Sequence, residues 1–443
     1  MQHDDSKQSF LARRKTGAAS GSRRSFLTKA AVAAATTPFV SFETFGQAVQ
    51  GAVDRAPRAS APSDLRIESV TPAYYQGNRM FVKITTNQGI TGWGEGVDAI
   101  PGTYHLVKNL GRQLRNRNPL DVHRIFEDIR KGGIFNGAQG GMFIAALSAI
   151  EIALWDISAK ALGVPVYRLL GGKFRDRIRV YYDTVFYAVR SPGPEHYKEA
   201  AKEGISKGFT ALKYDVDEAG DPNKYDRANW TASPGELQRM EDQIAAAREA
   251  AGPKIDICVD LHGRYDYVTA QSVAKRMEKF NLMWLEEPMP TENIDIYKAL
   301  TESTHIPICY GENNYLAHGF RRALEIGAVD IVMPDLQKTG GLGEGQRIAN
   351  LANLYYKPFS PHMVASFLGA MATCHVCASV PNFMILEWQA YFHTEQMWKD
   401  IVKYDGEWVK DGFIPLSEKP GIGVDVNEEG LRRYALRDVP FFE

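Results

Sequence analysis

The fold is decided by three short segments that each begin with an apolar run and end in an acid: IDICVD (255–260), MWLE (283–286) and ICYGE (308–312). Their final acids are Asp260, Glu286 and Glu312, and each lies 26 residues from the next. That spacing fits one strand, one helix and the two turns that join them. We therefore expect three neighbouring parallel strands that present one carboxylate each at the same end of a barrel.

The same alternation of apolar strands and amphipathic helices extends in both directions along the chain. It predicts eight strands, at 179–182, 211–214, 255–259, 283–285, 308–310, 331–333, 359–360 and 384–386. Strands that alternate with helices favour a parallel (β/α) barrel over a doubly wound sheet. We assign residues 178–403 to this barrel, which is the predicted catalytic domain.

The sequence before the barrel has a different pattern and predicts an α+β domain over residues 64–177. Short alternating runs at 66–70, 79–85 and 90–95 predict an antiparallel meander. Residues 142–162 are apolar on nearly every helical face, which predicts a deeply buried helix that ends at Gly163 and Pro165. The alternation is lost after about residue 404, and we expect 404–443 to return to this N-terminal domain.

The first fifty residues have the pattern of an export signal. Arg23 and Arg24 precede Phe26, and the small apolar run 30–40 follows. The paired arginines resemble a twin-arginine signal, which implies export of the folded protein, in a bacterium to the periplasm. The alternative is a basic tail beside an Ala-rich helix. We expect cleavage near Ala48, followed by a linker over 51–63 that is rich in Ala, Pro and Arg.

Composition limits the class of partner. The chain has 443 residues, a formal net charge of −1 and a pI near 6.8. This balance argues against a nucleic-acid surface, which needs a concentrated basic face, and favours a small molecule. The apolar run 30–40 is too short to span a bilayer permanently. Of four cysteines, only Cys374 and Cys377 are close in sequence, and their apolar surroundings predict packing rather than metal or redox chemistry.

The three acids predict a metal site. Carboxylate oxygens suit a hard cation, which means Mg²⁺ or, as second choice, Mn²⁺. Such an ion polarises a substrate carboxylate and stabilises the enediolate that forms when the adjacent proton is removed. The alternative is that each acid merely caps a helix N-terminus, but equal spacing after three apolar strands disfavours it.

A second pair of residues predicts a base. Asp335 follows the strand at 331–333, and His362 follows the one at 359–360, 27 residues later. Neighbouring strands would bring the two side chains into hydrogen-bond reach. Asp335 could then fix the tautomer of His362 and raise its basicity.

These motifs resemble the enolase superfamily, specifically its mandelate racemase subgroup, over about residues 66–443. The resemblance rests on Asp260, LEEP (285–288), GEN (311–313), PDLQKTGG (334–341) and His362. It implies a (β/α)7β modified TIM barrel with an α+β N-terminal capping domain. It also implies that Asp260, Glu286 and Glu312 bind magnesium and that Asp335 and His362 form the proton-abstracting pair.

The resemblance assigns two further catalytic positions. Glu387, after the last strand, matches the acid that donates a hydrogen bond to the substrate carboxylate. Lys213 matches the first lysine of a Lys-x-Lys motif, but Asp215 stands where the second lysine should be. This departure disfavours a mandelate-type racemase, although Asp215 could still act as a base.

A histidine beside the first metal ligand indicates the reaction. The stretch DLHGR (260–264) resembles galactonate-type acid-sugar dehydratases, in which such a histidine protonates the departing hydroxyl. His262 and Asp260 should point to the same side because side chains alternate along a strand end. The alternative for His262 is a hydrogen bond that only supports the metal ligand.

We therefore predict a sugar-acid dehydratase that gives a 2-keto-3-deoxy acid. An epimerase or cycloisomerase, and a non-catalytic exported sugar-acid binder, are the alternatives. The candidate substrate contacts are Tyr182, Asp183, Asp215, Arg264 and Trp388. The segments 74–80 and 135–141 are predicted lid loops, and the resemblance suggests a homo-oligomer.

Overall fold

The structure, a computed structural model, describes residues 62–99, 102–184, 191–218, 220–226, 228–389 and 392–443. The predicted export signal and the linker up to residue 61 lie outside the described residues. The described residues form an N-terminal α+β domain and a parallel barrel.

The N-terminal domain is an antiparallel sheet covered by helices. Its strands, in the spatial order β1-β2-β3, are β1 (Ile67–Tyr75), β2 (Arg79–Thr86) and β3 (Thr91–Gly96). Its helices are α1 (Thr103–Leu114), α2 (Val122–Gly132), α3 (Gly141–Leu162) and the short α4 (Val166–Leu169). A Cβ on Gly94 would lie 1.8 Å from the backbone oxygen of Ala149, so a glycine in β3 lets α3 approach closely.

The long apolar helix α3 is the predicted buried helix. Among the described residues it alone is long and apolar enough to cross a membrane by composition, but 94% of that stretch is buried inside the protein. Its apolar character on all sides follows from packing between the N-terminal sheet and barrel helices.

The barrel sheet runs β10-β4-β5-β6-β7-β8-β9 through parallel neighbours. Its strands are β4 (Arg177–Asp183), β5 (Ala211–Asp215), β6 (Asp256–Asp260), β7 (Trp284–Glu286), β8 (Ile308–Tyr310), β9 (Ile331–Val332) and β10 (Leu386–Trp388). The predicted strand at 359–360 forms only single-residue bridges, from Phe359 to Val332 on one side and to Phe383 on the other. These bridges close the ring between β9 and β10.

A helix follows each of the first seven strand positions, so the predicted (β/α)7β barrel is confirmed. The helices are α5 (Pro194–Ser206), α6 (Pro234–Ala251), α7 (Tyr267–Met277), α8 (Ile294–Thr301), α9 (Leu316–Glu325), α10 (Gly341–Leu354) and α11 (Phe367–Ser379). Side chains such as Tyr181, Cys258 and Trp284 fill the barrel interior. All four cysteines are buried and free.

The C-terminal segment contacts both domains. After α12 (Phe392–Ile401) it forms β11 (Val402–Lys403), β12 (Phe413–Pro415), β13 (Asp425–Val426) and α13 (Glu428–Arg432). Strand β12 pairs antiparallel with β4, which adds it to the barrel sheet, a contact that the sequence did not predict. The chain then reaches the N-terminal domain, where the backbone nitrogen of Leu436 donates to the oxygen of Tyr74 at 3.0 Å.

Candidate active site

Three buried carboxylates lie together at the carboxyl end of the barrel strands. Asp260 and Glu286 are the last residues of β6 and β7 and are paired in register. Glu312 joins them two residues after β8, because Gly311 adopts a φ of +142°. A Cβ on Gly311 would lie 2.4 Å from the ring of Phe320, so only glycine fits this turn. One oxygen of each acid lies within 4.8 Å of the others.

The arrangement fits a divalent cation. Burial and the neighbouring Asp260 raise the pKa of Glu286 well above its ordinary value, which is the expected effect of crowding like charges in a dry site. Glu286 Oε1 is buried without a hydrogen-bond donor, and the Lys213 ammonium lies 3.6 Å away. An all-oxygen donor set with uncompensated negative charge suits a hard cation.

The predicted base and its partner are in contact. Asp335 and His362 form a backbone bridge between neighbouring strand positions, and His362 Nδ1 lies 2.7 Å from Asp335 Oδ2. His362 Nε2 lies 3.0 Å from Glu312 Oε2. Burial lowers the pKa of His362, but the carboxylates of Glu387, Glu312 and Asp335 outweigh burial and raise it well above its ordinary value.

The N-terminal domain holds the chain that follows this base. The Arg79 guanidinium donates to the oxygen of Val364 at 2.7 Å. The buried Glu95 accepts from the backbone nitrogens of Ser366 at 2.8 Å and Gly369 at 3.0 Å. Glu95 therefore caps the N-terminus of α11 from another domain and fastens the segment that begins at His362.

Glu387 lies beside His362 and the Lys213 ammonium group. Its Oε1 is 2.8 Å from Lys213 Nζ, and its Oε2 accepts from the nitrogen of Met363 at 2.8 Å. Burial raises the pKa of Glu387, but Lys213 and His362 lower it overall. Glu387 thus accepts hydrogen bonds in this arrangement, and the predicted role as a donor to substrate stays a prediction.

His262 lies on the turn after β6 with a left-handed φ of +46°. The strained turn is held because the backbone nitrogen of His262 donates to Asp260 Oδ1 at 2.8 Å. The imidazole Nδ1 lies 3.0 Å from Asp217 Oδ1, and Nε2 lies 3.7 Å from Asp260 Oδ2. Asp217 is not among the predicted site residues, although it continues the two-residue spacing of Lys213 and Asp215.

Several of these groups line one cavity of about 1030 Å³. Its lining includes both histidines, Glu312, Glu387, Lys213 and Lys338 from the barrel, and Gln76, Gly77 and Arg79 from the predicted lid loop 74–80. The other predicted lid loop, 135–141, contributes no lining residue. Tyr434 of the C-terminal segment completes the mouth.

One wall of the cavity is a chain of polar side chains. The Arg79 guanidinium donates to Gln389 Oε1 at 3.3 Å, and Gln389 Nε2 donates to Asp183 Oδ2 at 3.2 Å. Asp215 lies beside Asp183 on the next strand, and burial together with that charge raises the pKa of Asp215 well above its ordinary value. Alternating charges and amides of this kind can bind hydroxyl groups.

The structure corrects three predicted substrate contacts. Tyr182 points toward α5, where its hydroxyl donates to Glu203 at 3.2 Å, because alternation along β4 turns Asp183 inward instead. Trp388 is buried against Phe367 and two other tryptophans outside the barrel, since Glu387 and Gln389 take the inward positions. Arg264 lies outside the cavity lining and pairs with Asp217.

Two family models match the chain. Residues 51–171 match the mandelate racemase/muconate lactonizing enzyme N-terminal domain, and residues 196–430 match the enolase C-terminal domain-like family. The D-xylonate dehydratase of Haloferax volcanii is 34% identical over 388 residues, which cover 86% of this chain and 91% of that protein. The D-galactonate dehydratase of Variovorax paradoxus is 32% identical, with coverage of 82% and 92%.

Solved structures of similar proteins are also known. A mandelate racemase/muconate lactonizing enzyme-like protein from Rubrobacter xylanophilus is 43% identical and superimposes with a TM-score of 0.81. The match covers 86% of this chain and 100% of that one.

Proposed function

The chain belongs to the mandelate racemase/muconate lactonizing enzyme family of the enolase superfamily and is a lyase, and we propose that it is a magnesium-dependent dehydratase of an aldonate. The observation that best supports this reaction is that His362 and His262 line one cavity beside the three-acid cluster. One histidine can remove a proton, and the other can protonate a leaving hydroxyl.

In this proposal His362 removes the proton on the carbon next to the substrate carboxylate. This step requires the neutral imidazole, in which Nδ1–H donates to Asp335 and the lone pair of Nε2 accepts the proton. When bound by Asp260, Glu286 and Glu312, a magnesium ion would supply the positive charge that stabilises the resulting enediolate. The buried Lys213 ammonium adds positive charge to the same region.

His262 completes the elimination. The bond between the β-carbon and its hydroxyl oxygen breaks as His262 Nε2–H delivers a proton to that oxygen, and water leaves. The enol that remains takes up a proton at the β-carbon and loses the proton of its 2-hydroxyl group to solvent, which gives the 2-keto-3-deoxy acid. The polar wall from Arg79 to Asp215 supports a polyhydroxylated substrate, since its charged and amide groups can exchange hydrogen bonds with hydroxyl groups, and an apolar acid would gain no such bonds.

Epimerisation or cycloisomerisation is the second candidate, because Asp215 lines the cavity at the position that resembles the second lysine of racemases. A non-catalytic sugar-acid binder is the third. We also propose that the protein is exported to a bacterial periplasm by the twin-arginine pathway and that it forms a homo-oligomer.

The test is an assay of the protein with magnesium on a panel of aldonates that includes D-xylonate and D-galactonate. Release of 2-keto acids is followed by absorbance of the semicarbazones. We expect turnover that is lost in His362→Asn and on chelation. If no keto acid forms but the α-proton exchanges with solvent, an epimerase or cycloisomerase is favoured. If there is neither keto acid nor exchange, the non-catalytic binder is favoured.

A further inference from the structure

A second histidine–carboxylate pair lies at the rim of the active site. His262 Nδ1 is 3.0 Å from Asp217 Oδ1, and the Asp217 side chain is 4% exposed whereas that of His262 is 33% exposed. Asp217 follows β5, and its neighbour Val216 is fixed because its backbone nitrogen donates to the oxygen of Asp260 at 3.2 Å. The carboxylate therefore meets His262 from a strand end that is anchored to β6.

The second oxygen of Asp217 is also engaged. Arg264 Nη1 lies 3.0 Å from Asp217 Oδ2, and Arg264 is on the same turn as His262. The turn thus supplies both the imidazole and the guanidinium that hold Asp217, one on each oxygen. This triangle of charged side chains favours the orientation of Asp217 in which Oδ1 faces the imidazole, while Oδ2 forms an ion pair with Arg264.

The triangle also separates two cavities. His262 lines the catalytic cavity, whereas Asp217 and Arg264 line a neighbouring one of about 620 Å³. Because Nδ1 faces Asp217, Nε2 is the ring nitrogen that faces the catalytic cavity and the metal ligand Asp260. A half-exposed imidazole without such a partner could rotate away from that direction.

We infer that Asp217 is the positioning residue of the leaving-group acid, His262, and that Arg264 fixes Asp217 for this purpose. The inference rests on the proposed function, in which His262 protonates the departing hydroxyl. It predicts that loss of Asp217 damages elimination but spares proton abstraction, because Asp217 contacts neither His362 nor Asp335 among the described contacts.

The experiment uses the full-length enzyme with magnesium and whichever of D-xylonate and D-galactonate it dehydrates. Asp217→Ala is assayed for keto-acid release and, by proton NMR in heavy water with the 3-deoxy analogue of that substrate, for α-proton exchange. We expect kcat for dehydration to fall about 10- to 100-fold, as for other residues that orient a functional imidazole. Exchange should stay within about threefold, since His362 is untouched.

Two further variants separate positioning from folding. Asp221→Ala removes another buried carboxylate of the same loop, which binds Arg239 rather than His262, and should leave dehydration within about twofold. Arg264→Met alters a side chain that is 56% exposed and should lower dehydration about threefold without a change in exchange.

The inference is overturned if Asp217→Ala loses exchange and dehydration in parallel, or if it dehydrates at the wild-type rate. His262→Asn distinguishes the two proposals. If His262→Asn abolishes dehydration but Asp217→Ala does not, only the role of Asp217 fails. If His262→Asn dehydrates normally, or the wild type dehydrates no aldonate of the panel, the proposed function fails and the inference fails with it.

Discussion

The active site contains two histidine–carboxylate pairs that are held in different ways. His362 and Asp335 lie on neighbouring strand positions joined by a backbone bridge, and the His362 side chain is 9% exposed. His262 and Asp217 lie on two turns at the rim and are held by side-chain contacts and a strained backbone. The deep pair is therefore placed by the fold itself, whereas the rim pair depends on a few local side chains.

The largest expected effect concerns the deep pair. His362→Asn should lower dehydration by about 10²- to 10⁴-fold, the usual contribution of a general base. It should lower α-proton exchange of the 3-deoxy analogue equally, because exchange also begins with removal of that proton. Both rates are measured on the same preparation, with unchanged circular dichroism as the control. Persistent exchange would assign the base to another residue, with Asp215 as the first candidate.

The second prediction tests how the deep pair is anchored. Glu95→Gln replaces a buried carboxylate that holds the segment after His362, and the new amide hydrogens would face backbone donors. We expect a loss of about 3 kcal/mol in the free energy of unfolding and about a tenfold lower kcat for both reactions.

The matched control for that variant is Glu151→Gln. Glu151 also reaches from the N-terminal domain to a barrel helix, where it accepts from the nitrogens of Leu342 and Gly343 at 2.8 and 2.9 Å. Glu151→Gln should lower the free energy of unfolding about as much as Glu95→Gln does, but should change kcat little. Equal kcat losses in the two variants would mean that general loosening of the domains, not the base segment, explains the effect.

The third prediction concerns the three-acid cluster, which touches both pairs: Glu312 contacts His362, and Asp260 contacts His262. Magnesium at 100 times its dissociation constant should raise the free energy of unfolding by about 2.7 kcal/mol. Glu286→Gln should be more stable than the wild type without magnesium, because it relieves like charges, and should lose the response to the ion. Calorimetry at fixed ionic strength measures both; a wild type that ignores magnesium would argue against the metal site.

The smallest prediction uses a buried histidine without a carboxylate. Within the described part of the chain, His375 hydrogen-bonds only to backbone groups, the nitrogen of Tyr167 and the oxygen of Ile422, and burial lowers its pKa to about 4. The folded protein thus favours neutral His375. The contribution of this residue to the free energy of unfolding is present above about pH 6.5 and is lost as the pH falls toward 4. Between pH 7 and 5 the wild type should lose about 2 kcal/mol that His375→Gln does not lose. Urea titrations of both proteins at each pH would measure the free energy of unfolding. An equal fall with pH in the two proteins would contradict the prediction.

The deep half of the site could be predicted from the sequence because its order is periodic. Repeated strand and helix units placed Asp260, Glu286, Glu312, Asp335 and His362 at intervals of 26, 26, 23 and 27 residues. Parallel neighbouring strands bring residues at such regular intervals close together. Alternation along single strands was a second signal. Applied to β4 and β10, it would have kept Asp183 without Tyr182 and replaced Trp388 by Gln389.

The remaining contacts have no local signal. Glu95 meets Ser366 across 271 residues of sequence, and only the docking of two domains brings them together. Asp217 meets His262 through turns whose path depends on a left-handed residue that is not glycine. Such contacts follow from tertiary structure rather than from the order of residues.

The most direct test of the account is the partition of two rates in His262→Asn, with magnesium in heavy water. Keto-acid release should fall by at least about 10²-fold, while α-proton exchange of the 3-deoxy analogue should stay within about threefold of the wild type. Loss of both rates together would contradict the division of labour between the two pairs, and so would a variant that still dehydrates at the wild-type rate.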